Sequence, residues 1–331
     1  MLGNPSDGFA GATIAFALAG FEARVHASSH GGVLIEADGG GLEFSDATAL
    51  VAQGRSGAYP SRGPMALLMA AAKRFAERLE ASGLKLEGVG FRLRLVDSSI
   101  PPEVGLAGSS AIVIATLRAL GVLFRDEVPD SELPAVALAC EDDELGIAAG
   151  PQDRVVQTHG GLLFMDFGSA LESPSHPWVP ERLDPVLLPP LLVAYDPEAT
   201  GHSGSVHASV RERYDAGDPA VIETMGEIAA LAHAGRVALL GSELGPLPSC
   251  WIATSICASG STTSTLATWR CWRLPEKPEP RRTTRGRAER SSRCLEPTCR
   301  SRPCSSPSNA RTTGRCGHGW RARWPRRRSC R

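Results

Sequence analysis

Hydrophobic and polar positions in the first part of the chain switch between two periods. Thr13 to Leu18 and Phe21 to Ser28 read as short apolar and alternating strands. Val33 to Ala37 and Leu42 to Phe44 follow, separated by glycine-rich turns, so this stretch is expected to form a meander. Pro64 to Ser82 changes to helical spacing, with Met65, Leu67, Leu68, Ala71, Phe75 and Leu79 on one side and Gly83 as a stop; one amphipathic helix packed on the meander is predicted. Lys85 to Val96 alternates again through Val89, Phe91, Leu93 and Leu95. Ile112 to Leu120 is an apolar helix, and Ser131 to Leu145 is predicted helical, with Ser131 near its N-cap. An apolar strand within Pro185 to Tyr195 is expected to open a second domain, followed by a helix over Ala220 to Leu240.

From Ser249 onward this periodicity stops and Arg, Ser, Thr, Pro, Cys and Trp take over. Charge changes at the same place. The first 248 residues hold 16 Lys and Arg against 32 Asp and Glu, whereas the remainder holds 19 against 4. Cysteine divides likewise, with only Cys140 ahead of Ser249 and eight after it. A basic tail with Trp251, Trp269, Trp272, Trp320 and Trp324 interleaved has the composition of a nucleic-acid binder. Yet Cys294, Cys299, Cys304 and Cys316 lack paired zinc spacing, and the apolar content is too low to offset ordering entropy. A disordered or out-of-frame segment is therefore expected, without a nucleic-acid partner.

The 331 residues leave room for two domains and a sizeable core. No apolar run reaches the roughly 18 residues of a membrane span, and the N-terminus lacks a basic region followed by an apolar core and a cleavage site. The expectation is a cytoplasmic chain with no membrane association.

The chemistry centres on Pro102-Glu103-Val104-Gly105-Leu106-Ala107-Gly108-Ser109-Ser110-Ala111, which runs directly into the helix at Ile112. Two glycines free the backbone to turn N–H groups inward, two hydroxyls follow, and a helix N-terminus adds partial positive charge. This composition suits a phosphate cradle, as it also suits an ordinary loop with a serine cap. Asn4-Pro5-Ser6-Asp7-Gly8 has the residues of a tight turn and also a hydroxyl and carboxylate able to bind a polyol. In the acidic run Glu141-Asp142-Asp143-Glu144, all but Glu141 are expected on a solvated face. His202 and His207 have no carboxylate or cysteine at ligand spacing and read as solvated or phosphate-side histidines.

Taken together, the string from Pro102 to Ala111 resembles the second signature of the GHMP small-molecule kinases, in the longer-loop form of the glucuronokinase-like branch. Gly3 to Asp7 resembles the first signature of that branch, although the strand and Pro-Gly-Arg turn that precede it in the family are missing, so Met1 is read as a misplaced start. The Ser-Gly-x-x-His run at 203–207 and Gly217-Asp218 resemble the same branch. The resemblance implies an α+β chain. Residues 1–180 would form an N-terminal domain like the second domain of ribosomal protein S5, and residues 181–248 the start of a partly lost ferredoxin-like C-terminal domain, with 249–331 as the tail. It further implies that Pro102, Gly105, Leu106, Ala107, Gly108, Ser109, Ser110 and Ala111 hold ATP, that Ser110 and Glu141 hold Mg2+, and that Asn4, Ser6, Asp7 and Gly11 line the acceptor site. Glu141 stands five residues before Gly146, as the family's magnesium-binding glutamate does. Asp153, in Gly150-Pro151-Gln152-Asp153, matches the family's catalytic aspartate.

The implied activity is ATP-dependent phosphorylation of a sugar or sugar acid, with glucuronate at its anomeric hydroxyl as the branch-level expectation. The alternatives are a kinase for a non-sugar alcohol, such as mevalonate or homoserine, and a non-catalytic relic. The family's third signature, a glycine-rich loop closing over the nucleotide, is missing. A one-base deletion just before Ser249 accounts for this. When the third base of each codon is joined to the first two of the next, Cys250-Trp251 gives Leu, Trp251-Ile252 gives Asp and Ile252-Ala253 can give Arg. Ser249 to Ala258 then takes the form Leu-Leu-Asp-Arg-x-x-Asp-Leu-Arg, which resembles a segment of glucuronokinase-like chains.

Overall fold

Asp38 and Gly39, both at positive φ (51° and 76°), make the two-residue turn that joins strands β3 (Val33–Ala37) and β4 (Gly40–Phe44). Such a turn matches the right-handed twist of the strands it connects, and Asp-Gly tolerates it sterically. The computed structural model describes residues 2–168, 178–193, 195 and 210–241, all within the first of two compact units, 1–271. β3 also pairs in parallel with β5 (Phe91–Ser98), which in turn pairs antiparallel with β2 (Ala23–Ser29) through a bulge at Arg24/Val25. The resulting four-stranded sheet has the order β2-β5-β3-β4. A second sheet, β1-β6-β7, is built from β1 (Ala12–Phe16), β6 (Leu162–Asp166) and β7 (Glu181–Leu183), all antiparallel.

Helices α1 (Ala47–Arg55), α2 (Pro64–Ala81), α3 (Gly108–Phe124) and α4 (Leu133–Glu141) share the core of the larger sheet. Leu68, Phe75, Leu117, Leu120 and Leu133 pack there with Ile35, Phe91 and Leu93 from the strands. Helix α5 (Gln152–His159) lies against β1 and β6 through Val155 and Val156, which join Leu163, Met165 and Phe167 in a smaller core. Helix α6 (Pro219–Leu240) covers the other side of β1, where Gly235 comes so close to Leu2 that a Cβ would collide with it. The fold is mixed α+β, and no helix among the described residues is long and apolar enough to cross a membrane.

Several sequence expectations shift. Helix α1 is additional; its signal was Asp46, whose carboxylate accepts from Ala49 N–H at 3.0 Å and caps the helix. β5 starts at Phe91 rather than Lys85, because Gly88 at φ 72° turns the chain first. α4 begins at Leu133, two residues after the expected cap. No strand forms among the described residues of 185–193. Asp184 instead caps a 3-10 turn over Pro185–Leu187, and Pro185, Pro189 and Pro190 offer no ladder N–H, leaving Val186 and Leu192 exposed. The three-stranded sheet takes in β7 at Glu181–Leu183. Glu144, expected on a solvated face, is buried because Tyr59 (2.5 Å), Lys73 (2.7 Å) and Arg74 all take its carboxylate. His202, His207 and the tail from Ser249 lie outside the described residues.

Phe75 is 1% exposed and meets Phe124 at a ring-centroid distance of 5.9 Å, so truncation leaves a void under the four-stranded sheet. Phe75→Ala is expected to lower unfolding stability by about 3–5 kcal/mol. Urea unfolding of the full chain followed by circular dichroism measures it.

Candidate active site

The loop ahead of α3 is bent at three positive φ angles: Glu103 at 60°, Gly105 at 78° and Ala107 at 57°. Left-handed geometry costs a residue with a Cβ on the order of 1 kcal/mol, and such strain persists where surrounding bonds enforce it. Here they converge on one carbonyl. Ala107 O accepts from Ser110 Oγ at 3.1 Å, from Gln157 Nε2 at 2.9 Å and from Ala111 N–H at 3.3 Å. No side chain caps the first turn of α3. Pro102, Gly105 and Ser109 are exposed, Leu106, Ala107, Gly108 and Ala111 are half-buried, and Ser110 is buried. An uncapped helix start behind an exposed glycine-containing loop is a suitable anion site.

Helix α5 carries Asp153 and reaches three other candidate elements with its remaining polar side chains. Gln157 holds the loop at Ala107. Gln152 Nε2 donates to Asn4 Oδ1 at 2.6 Å, and Gln152 N–H donates to Asp7 Oδ2 at 3.1 Å. Arg154, 4% exposed, donates through Nε and Nη2 to Glu141 Oε2, the first at 3.0 Å, and through Nη1 to the Gly150 carbonyl at 2.8 Å. Asp153 Oδ2 stands 3.7 Å from Arg154 Nη1 and keeps 26% of its side-chain surface. Burial pushes the Asp153 carboxyl above the usual carboxylate range, with Arg154 pulling it down and Glu141 pushing it up. A raised value favours a carboxylate that takes up a proton during reaction.

The Asn4 to Gly11 turn divides into two kinds of residue. Ser6 is fully buried and donates to the Ala12 carbonyl at 3.1 Å, while a Cβ at Gly11 would collide with Ser6. These two shape the loop from inside. Asn4 is exposed, and the Asp7 carboxylate, 5% exposed, lies against Gly150, where any Cβ would strike it. Gln152, Arg154 and Gln157 were missed as site residues from sequence. Their signal was a short, largely polar run bounded by Gly150 and Gly160, a composition that an ordinary surface helix shares.

Glu141 is fully buried; Oε2 serves Arg154, while Oε1 has no hydrogen-bond partner. The unpartnered carboxylate oxygen of Glu141 and the hydroxyl of Ser110 are oxygen donors of the kind Mg2+ takes, an ion that needs few protein ligands and completes its shell with phosphate and water. Among the described residues no cluster of three or more His, Cys, Asp and Glu forms a metal site by itself.

Burial raises Asp7 from 3.8 to about 6, the Gln152 N–H opposing the rise. The folded state thus holds this proton more tightly than the unfolded chain. Its contribution is fully present below about pH 4 and is lost as pH climbs through 6. Against Asp7→Asn, the wild type should therefore lose relative stability between pH 4 and 6 by up to about 3 kcal/mol and stay level above 7. Thermal unfolding of both proteins across that range is the measurement.

Comparison with known proteins adds an independent line. The GHMP kinases N terminal domain family matches residues 66–161, a span that holds the loop, Glu141 and Asp153. Glucuronokinase 1 of Arabidopsis thaliana is 36% identical over 246 residues, covering 73% of this chain and 67% of that protein. The probable glucuronokinase 2 of the same plant is 38% identical over 251 residues, covering 74% and 67%. The crystal structure of Lactococcus lactis galactokinase complexed with galactose superposes with a TM-score of 0.55 at 17% identity, over 78% of this chain and 72% of that one, a likeness of fold. On this evidence the chain belongs to the GHMP kinases, in their glucuronokinase-like branch, and is of phosphotransferase descent.

Proposed function

We propose that the protein transfers the γ-phosphoryl group of ATP to the anomeric hydroxyl of glucuronate or a closely related sugar acid, in the cytoplasm. The observation that carries this reading is the position of Asp153. It sits on the helix that fastens the acceptor loop, at Asn4 through the Gln152 side chain and at Asp7 through the Gln152 N–H, and the phosphate loop, at Ala107 through the Gln157 side chain. The acceptor is supported by the two glucuronokinase relatives.

In this reading the N–H groups from Gly105 to Ser110 bind the phosphates of ATP. Glu141 Oε1 and Ser110 would hold Mg2+, which neutralises developing phosphate charge when bound. Asp153 takes or orients the proton of the sugar hydroxyl as that oxygen forms a bond to the γ-phosphorus. The bond from the γ-phosphorus to the bridging oxygen breaks, and ADP leaves with that electron pair. Positioning and charge neutralisation supply most of the rate in such transfers. Arg154 keeps Glu141 and the Gly150 turn fixed relative to Asp153.

The missing glycine-rich loop is consistent with the shifted reading of the tail. In the frame that starts at the third base of each codon, Arg285-Gly286 can give Gly, Arg287-Ala288 Gly, Ala288-Glu289 Gly and Glu289-Arg290 Ala, with G in the relevant third positions. Gly286-Arg287 then gives Ser, Thr, Pro or Ala, so the run becomes Gly-x-Gly-Gly-Ala, a composition suited to phosphate contact.

Two outcomes test the proposal. Asp153→Asn should lower kcat by about 10²-fold or more while fluorescent-ATP binding stays unchanged; retained turnover sinks the assignment. Resequencing the gene around the Ser249 codon should reveal one additional base that opens the shifted frame, and an unchanged frame refutes that part.

A further inference from the structure

We propose that Arg211 determines acceptor specificity by taking the carboxylate of the sugar acid. This rests on the kinase reading above and adds to it a residue for the substrate's charged end.

Arg211 lies in a helical segment over 210–215, far along the chain from the acceptor loop, yet its guanidinium is fastened to that loop. Nη2 donates to the Gly8 carbonyl, and the guanidinium carbon stands 4.8 Å from the centroid of the Phe9 ring. The segment is held there by apolar packing. Val210 and Tyr214, one helical turn apart, join Phe9, Val221, Met225 and Ile228 in a single cluster, with the Phe9 and Tyr214 rings 4.8 Å apart. A guanidinium stacked on an aromatic face loses less freedom when it binds a ligand than a free side chain does.

Its charge is also available. The body of the chain is acidic, and Arg24, Arg55, Arg74, Arg92, Arg154 and Arg236 all pair with carboxylates. Arg211 has no carboxylate partner among the described residues; its hydrogen bond goes to a neutral carbonyl. It remains exposed, and the rest of its five-donor fork, unpaired among the described residues, has the geometry for bidentate contact with an anion.

The location fits the reaction. Gly8, which Arg211 grips, follows Asp7, and the Asp7 carboxylate rests against Gly150 within electrostatic reach of Asp153. In a hexuronic acid the anomeric carbon and the carbon bearing the carboxylate flank the same ring oxygen. One small molecule can therefore present a hydroxyl to Asp153 and an anion to the arginine at the rim of the same loop.

Calorimetric binding of glucuronate and of glucose to the full chain, without nucleotide, tests this in the wild type, Arg211→Met and Arg211→Lys. The wild type should prefer glucuronate, and Arg211→Met should weaken glucuronate binding about 10- to 100-fold while weakening glucose binding far less. Arg211→Lys should recover part of the loss. In turnover, Arg211→Met should raise KM for glucuronate by a larger factor than it lowers kcat. The inference is overturned if the wild type binds the two sugars alike or fails to bind glucuronate, or if Arg211→Met weakens both equally or neither. A chain that binds glucuronate with this dependence on Arg211 but never turns over ATP defeats the kinase reading and leaves the carboxylate site standing.

Discussion

The buried pair of Arg154 and Glu141 is the constraint around which the site is arranged. Neither side chain has meaningful contact with solvent, so each charge depends on the other, and removing one partner from such a pair typically costs about 3–5 kcal/mol. The pair joins the end of α4 to the first turn of α5. Because the same guanidinium also holds the Gly150 carbonyl, the turn that presents Asp153 cannot rotate without breaking a charge-assisted bond. The bonds converge on only one carboxylate oxygen, and the other is left without a protein partner.

From that anchor, α5 distributes order in both directions. Within its eight residues, Gln152 reaches Asn4 and Gln157 reaches Ala107, while Val155 and Val156 between them fill the small core against β6. The polar and apolar faces therefore have separate duties. One face fixes α5 to the sheet, and the other spaces two loops that have no direct bond to each other. The left-handed conformation of Ala107 is held by the three donors on its carbonyl, which keeps this loop from collapsing onto its own helix.

Local patterns foretold the elements better than the site. Strands β1 to β4, the long α2 and the helix behind the phosphate loop follow from periodicity and glycine punctuation, which are properties of neighbouring residues. Asp153, Glu141 and Asp7 were legible as candidates through their place in motifs that resemble the family's. What ties these candidates to one another was not, since Arg154, Gln152 and Gln157 act across 13, 148 and 50 residues. Ser6 shows the reverse effect: a hydroxyl in a polar loop looked like a ligand group, but the turn buries it and spends its proton on Ala12. The apolar run after Pro185 likewise had the composition of a strand, and its prolines removed the donors that a ladder needs.

The candidate acceptor loop is synthesised well ahead of its fastenings, which come from residues 148 and 203 positions later. Contacts of such separation are closed only after the intervening chain is available, and their loop-closure entropy is met late in folding. On a ribosome, Asn4 to Gly8 must therefore wait until α5 and then the segment around Arg211 have emerged. The order of completion runs opposite to the order of synthesis: the candidate acceptor loop is made before its fastenings and takes its final form after them.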